Sequence, residues 1–79
     1  MEQLENLLLV LARSLVDEPE SVEVSGTETD SRVELELRVA DGDMGRVIGK
    51  RGRVANSIRT IVRAAAAKDG AETDVDFVD

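Results

Sequence analysis

Two glycines three residues apart, Gly49 and Gly52, enclose Lys50 and Arg51 and are followed at once by Arg53. A glycine pair at this spacing lets the main chain turn sharply and approach a ligand closely, because no Cβ stands in the way. A helical pattern begins at about Arg53, so the loop opens a helix. Unpaired N–H groups and the positive end of the helix dipole gather there, an arrangement that suits phosphate. The first turn after the loop carries Arg53 and no acid. An Asp or Glu there would stabilise an ordinary helix by a few tenths to ~1 kcal/mol. Basic residues at that end give up some stability, which an anionic ligand restores. The plain alternative is a helix–turn–helix corner with exposed basic side chains. A lone GxxG is weak evidence; here two helices, Ile48 and Val54 on the flanks, and two basic residues in the middle strengthen it.

The charge distribution points the same way. The chain has a net charge of −7, which taken alone argues against a nucleic-acid partner. Between Met44 and Ala67, however, lie Arg46, Lys50, Arg51, Arg53, Arg59 and Arg63 with no Asp or Glu. A basic block inside an acidic shell focuses an anion on one place and repels it elsewhere.

Other chemistries lack their residues. There is no cysteine and no histidine, hence no disulfide, no thiolate, and neither the commonest general base nor the commonest transition-metal ligand. The glycines match neither GxxxxGK[ST] nor GxGxxG. Asp41 and Asp43 read as turn and helix-cap residues, Asp74 and Asp76 as the wet side of a strand, and neither pair has the spacing of a calcium loop. An enzyme is not expected, nor a cofactor, a metal or a small-molecule substrate. The apolar run Leu7–Ala12 is too short to cross a bilayer and lacks a basic leader, so a membrane association is not expected and a cytoplasmic location is.

The elements that must hold the loop follow from periodicity. Leu4, Leu7, Leu8, Leu11, Ala12 and Leu15 make one apolar face of a helix over residues 2–16, stopped by Pro19. Val22 and Val24, then Val33, Leu35, Leu37 and Val39, alternate with polar residues and give a hairpin over about 21–39 with its turn near Asp30. Asp43 is placed to cap a helix N-terminus. A helix–GxxG–helix unit covers about 43–69, and its long helix shows an apolar stripe of Val54, Ile58, Ile61, Val62 and Ala65. Gly70 suits the helix end. A final strand covers 72–78 through Thr73, Val75 and Phe77, with Phe77 assigned to the core. The order is α-β-β-α-α-β in a single domain over 1–79, of class α+β, with helices on one face of a three-stranded sheet.

The stretch Gly45-Arg46-Val47-Ile48-Gly49-Lys50-Arg51-Gly52-Arg53-Val54-Ala55, continued through Ile58-Arg59-Thr60-Ile61-Val62, resembles the signature of KH domains. In that family the GxxG loop clamps the backbone of about four nucleotides. The element order is similar to the type II arrangement; type I would need two strands and a helix after the loop. Size and near-complete coverage resemble the small stand-alone bacterial KH proteins, the KhpA-like family. The resemblance implies non-catalytic binding of single-stranded RNA, as an RNA chaperone or regulator in bacteria. It implies that Gly49 and Gly52 bring N–H groups to the sugar-phosphate chain, that Lys50 and Arg51 meet phosphates, and that Ile48 shapes the apolar side of a base groove. Val54 and Ile58 match positions of that groove or of the core beneath it, and their place on the stripe favours core. Arg46 and Arg53 flank the loop as further candidate contacts. Arg59 and Arg63 fall on the opposite face of the helix and read as solvated or partner-facing. With one aromatic residue in the chain, aromatic stacking platforms are excluded. The family also implies a homodimer, or a heterodimer with a second KH-containing protein. The alternative function is accordingly a KH-fold interaction module with little RNA affinity of its own.

Overall fold

The computed structural model describes residues 2–78. Helix α1 runs Glu2–Arg13, strands β1 and β2 run Glu23–Thr29 and Arg32–Arg38, helices α2 and α3 run Met44–Ile48 and Arg53–Lys68, and strand β3 runs Glu72–Val78. The α-β-β-α-α-β order and the three-stranded sheet are those expected from the sequence. Strand order is β1-β2-β3, antiparallel between β1 and β2 and parallel between β2 and β3. The parallel pair needs a crossover, and α2, the loop and α3 supply it.

The alternation in β2 has a direct consequence. Val33, Leu35 and Leu37 are each about 1% exposed and form the floor of the core, while Arg32, Glu34, Glu36 and Arg38 face solvent. Leu4, Leu8 and Ala12 of α1 and Ile58, Val62 and Ala66 of α3 cover that floor. Burial of such side chains contributes roughly 25 cal/mol per Å². In β3, Thr73 and Val75 point inward, and the Thr73 hydroxyl donates to the Val33 carbonyl at 2.7 Å. That bond satisfies a buried polar group and ties the two parallel strands.

Three expectations need correction. Helix α1 stops at Arg13 rather than at Val16. Ser14 turns its hydroxyl back to the Val10 carbonyl, and Asp17 and Glu18 donate their N–H groups to the Asp43 carboxylate at 3.1 and 3.0 Å, which draws the chain off the helix axis before Pro19. The buried stripe of α3 runs through Ala55 and Ala66, whereas Ile61 is 45% exposed and Val54 and Ala65 are half-buried. Small alanines let the helix lie close to its neighbours, so the stripe is rotated from the one the large side chains suggest. Phe77 is half-buried at the sheet edge and packs against the core without entering it.

Candidate nucleic-acid interface

Helix α2 ends at Ile48, and Gly49 takes φ +77°, ψ 171°. A Cβ on Gly49 would sit 2.4 Å from Val54 Cγ2 and 2.9 Å from the Val54 backbone nitrogen. The loop is therefore folded tightly onto the first turn of α3 at Val54, and Ile48 at the end of α2 is half-buried. Gly52 also has positive φ, +73°, but a Cβ there meets nothing within 4 Å. The two glycines thus serve different ends: Gly49 provides close approach, Gly52 only a left-handed turn. Arg51 adopts φ 59°, ψ 25° although it is not glycine. A left-handed residue with a Cβ costs roughly 1–2 kcal/mol. The loop holds this strain while presenting the Arg51 side chain to solvent.

Helix α3 begins without a side-chain cap. Lys50, Arg51 and Arg53 surround that end, are all exposed, and form no ion pair among the described residues. The first N–H of α3, on Arg53, is taken by the Lys50 carbonyl, so what the corner offers is three cations unpaired among the described residues at the positive end of a helix. Arg46 is differently placed. Its guanidinium bridges Asp17 at 2.9 Å and Asp43 at 3.4 Å, so it belongs to a network that fastens α2 to the segment after α1.

Asp43 is central to that network and corrects another expectation. It stands at the N-cap position of α2, yet its side chain makes no cap hydrogen bond. It is 2% exposed and accepts instead from the Asp17 and Glu18 N–H groups. The carboxylate holds a loop some 25 residues away in sequence against the base of α2. A cap motif is read locally; this partner is remote, and no local pattern announces it.

Arg59 and Arg63 depart most from the sequence reading. They are not free solvated side chains but lean over the edge strand β3. Arg59 Nε donates to the Val75 carbonyl at 3.2 Å, its Nη1 lies 3.4 Å from Asn56 Oδ1, and its Cζ sits 4.9 Å above the Phe77 ring centroid. Arg63 pairs with Asp74 at 3.0 Å, and the same Asp74 oxygen accepts from the Val75 N–H. Partial burial raises the Asp74 pKa, but the Val75 N–H and the Arg63 cation outweigh it and hold the carboxylate below its ordinary range. A cleft of about 450 Å³ opens between α3 and β3, lined by Asn56, Arg59, Arg63, Asp74, Val75 and Asp76. Arg59 and Arg63 lie one turn apart on α3, which is the signal that could have grouped them; the strand they face is fixed only by the parallel pairing.

A helix pair joined by a GxxG loop, crossing between the parallel strands of a three-stranded sheet in α-β-β-α-α-β order, defines a KH domain of the type II arrangement. The comparisons identify the family: the chain belongs to the KhpA/KhpB KH-domain family, whose model matches residues 5–77. It is 45% identical over 75 residues to a protein of Clostridium acetobutylicum named RNA-binding protein KhpA, covering 95% of this chain and all of that one. Relatives of the same name in Listeria monocytogenes and Bacillus subtilis are 41% and 38% identical, over 96% and 99% of this chain and all and 96% of their own. Among solved structures, Era bound to MgGDPNP and nucleotides 1506–1542 of 16S ribosomal RNA superposes with a TM-score of 0.69 at 20% identity. The match covers 94% of this chain and 28% of that one. Aquifex aeolicus Era superposes with a TM-score of 0.68, also at 20% identity, over 95% of this chain and 29% of that one. The chain thus spans under a third of Era, and these two likenesses establish the fold alone.

Proposed function

We propose that this protein binds single-stranded RNA without catalysis, with the Gly49–Gly52 loop as its phosphate clamp. The observation that carries the reading is the loop itself: exposed, unpaired Lys50, Arg51 and Arg53 around the uncapped start of α3, on a turn that Gly49 brings against Val54. The relatives' name, RNA-binding protein KhpA, supports the partner class. Gly49 and Gly52 shape the turn rather than lend their N–H groups, which the Gly45 and Gly49 carbonyls already accept at 2.9 and 3.1 Å. Lys50, Arg51 and Arg53 neutralise phosphates, and Ile48 supplies apolar support. Arg46 contributes long-range attraction while fixed to Asp17 and Asp43. No helix among the described residues is long and apolar enough to cross a membrane, and no group of three or more acidic side chains is disposed to hold a metal. The protein acts in this reading as an RNA chaperone or regulator of the bacterial cytoplasm.

The test is anisotropy of a labelled single-stranded RNA pool across a salt series, comparing wild type with Lys50→Asp/Arg51→Asp. Wild type binds with a log–log salt slope of roughly −0.7 per phosphate contact. The double variant keeps its circular dichroism and loses binding. Equal behaviour of the two proteins, or no binding by wild type at low salt, rejects the clamp.

One observation favours a second reading, association through the fold. Val10 on α1 and Ile61 on α3 are 63% and 45% exposed, unusual for large apolar side chains in so small a domain. A homodimer, or a heterodimer with a second KH-containing protein, would cover them. Sedimentation equilibrium of wild type and Ile61→Ser decides between a monomer and a dimer that uses this helix.

A further inference from the structure

The two edges of the sheet are unlike. Strand β3 is guarded: Glu72, Asp74 and Asp76 put an acid at every second residue, and Arg59 and Arg63 lean over it. Proteins keep an edge from pairing with another chain by prolines, bulges, lysines or a short length, and strand β1 has none of these. It pairs with β2 over seven residues without a break, from Glu23 opposite Arg38 to Thr29 opposite Arg32. Its charges, Glu23 and Glu28, lie towards its ends; Ser25, Gly26 and Thr27 in its middle are exposed and uncharged, and Val24 is half-buried. The register shows which main-chain groups the edge offers. The Ser31 carbonyl accepts from the Glu72 N–H, so, counting on from Ser31, odd-numbered residues of β2 turn their main-chain groups to β3 and even-numbered ones turn theirs to β1. The partners of the even-numbered set, Glu23, Ser25, Thr27 and Thr29, are thereby bonded inward. Val24 and Gly26 direct their N–H and carbonyl groups outward, and among the described residues no further main-chain bond reaches them. Beside this edge, between α1 and β1, lies an open groove of about 520 Å³ whose lining includes Leu9, Val22 and Val24 with Glu5, Arg13 and Glu23. A Cβ on Gly26 would collide with the Glu5 carboxylate, so the bare glycine brings an acid against the middle of the strand.

We propose that the outer edge of β1 takes up an extended basic segment of a protein partner as a fourth strand of the sheet. Main-chain hydrogen bonds to Val24 and Gly26 hold the segment, and its alternate side chains face the two sides of the sheet. On the α1 side they are apolar and enter the groove beside Leu9 and Val24. On the other side they are lysine or arginine and lie next to Glu23. Charge sets the sign of the partner. Glu5 and Glu23 outnumber Arg13 at the groove, and the whole chain stands at −7, so the complementary strand is basic. A second copy of this chain would instead bring together two strands whose only charges are acidic, which is unfavourable. The sheet order β1-β2-β3 puts this edge on the far side of the sheet from the α3–β3 cleft, so the segment and a ligand at the loop do not compete for space. The inference does not depend on RNA binding.

The test uses a synthetic peptide of alternating lysine and valine, matched in length to β1, with binding followed by anisotropy and by amide hydrogen exchange of the protein. On addition of peptide, exchange at Val24 and Gly26 slows by about tenfold or more, while Ser25 and Thr27, already bonded to β2, change little. Two further peptides carry N-methyl groups on all valines or on all lysines. Both keep the charge, and only one of the two sets of N–H groups can face β1. One methylated peptide therefore binds about tenfold more weakly than the parent, the order of one or two lost hydrogen bonds, and the other does not. The variant Glu5→Lys/Glu23→Lys loses about fivefold in affinity for the parent peptide, a loss that shrinks at high salt. Equal binding of the parent and both methylated peptides assigns the attraction to charge alone and overturns the proposal. Protection of Val24 and Gly26 that grows with protein concentration without peptide assigns the edge to a second copy and also overturns it. So does peptide binding that leaves exchange at Val24 and Gly26 unchanged, or no binding at low salt.

Discussion

At the loop corner, Lys50, Arg51 and Arg53 stand exposed with no acidic partner among the described residues. On the open face of the sheet, Glu34 stands opposite Asp74 and Glu36 opposite Asp76 in the β2–β3 register. Both regions gather like charges, and by different means. At the corner the strain is in the backbone, where Arg51 holds positive φ between two glycines that adopt it freely and α3 starts without a side-chain cap. On the sheet the backbone is regular and the cost is Coulombic, since like charges directly opposite destabilise a strand pair. Arg32, which pairs with Glu34 and Glu72, and Arg63, which pairs with Asp74, relieve one end of the face. Strain at the corner is rigid and survives salt; repulsion on the sheet is exposed and fades with it. The corner is therefore a rigid cationic mould, and the sheet an acidic face whose repulsion salt screens.

The largest test of that contrast is at the mould. Gly49→Ala drives a Cβ into Val54 and should lower unfolding stability by about 3 kcal/mol or more in a urea titration. Gly52→Ala, with open space around it, should cost only about 1 kcal/mol. Equal losses would mean that close packing against Val54 does not shape the corner. Next is Asp43→Ala, which strands two N–H groups and should cost about 2 kcal/mol, with faster amide exchange at Asp17 and Glu18 than in wild type. A smaller effect comes from Arg51→Asn, because asparagine tolerates the left-handed region. It should gain about 0.5 kcal/mol of stability while weakening RNA binding, so stability and affinity move in opposite directions. The smallest is on the sheet. Glu36→Thr removes the repulsion with Asp76 and should gain about 0.5 kcal/mol at low salt, a gain that shrinks at high salt. A gain that survives high salt would assign the effect to strand propensity instead.

Most of the architecture was legible because period-two alternation in β2 and the GxxG spacing are local signals. What escaped is non-local. The edge position of β3, parallel to β2 and beside α3, turns Arg59 and Arg63 from apparent solvent residues into the wall of a cleft. Asp43 carries a cap signature, but its partners come from the segment after α1. Ile61 looked buried because hydrophobicity weights large side chains, whereas the close approach of α3 to its neighbours is made by Ala55 and Ala66.

The crossover between β2 and β3 also orders events in time. Strands β1 and β2 are joined by a two-residue turn at Asp30-Ser31, and a hairpin of that kind closes within about 1–10 μs. Strand β3 pairs with residues 40 positions earlier, as Arg32 meets Glu72, and so carries a larger loop-closure cost than the hairpin. The loop corner needs only α2 and α3; the cleft needs β3 as well. Made from its N-terminus, the chain contains the loop and α3 before it contains β3, whose Val75 carbonyl holds Arg59. Local opening of the β3 edge would dismantle the cleft between α3 and β3 while leaving the α2–α3 corner in place.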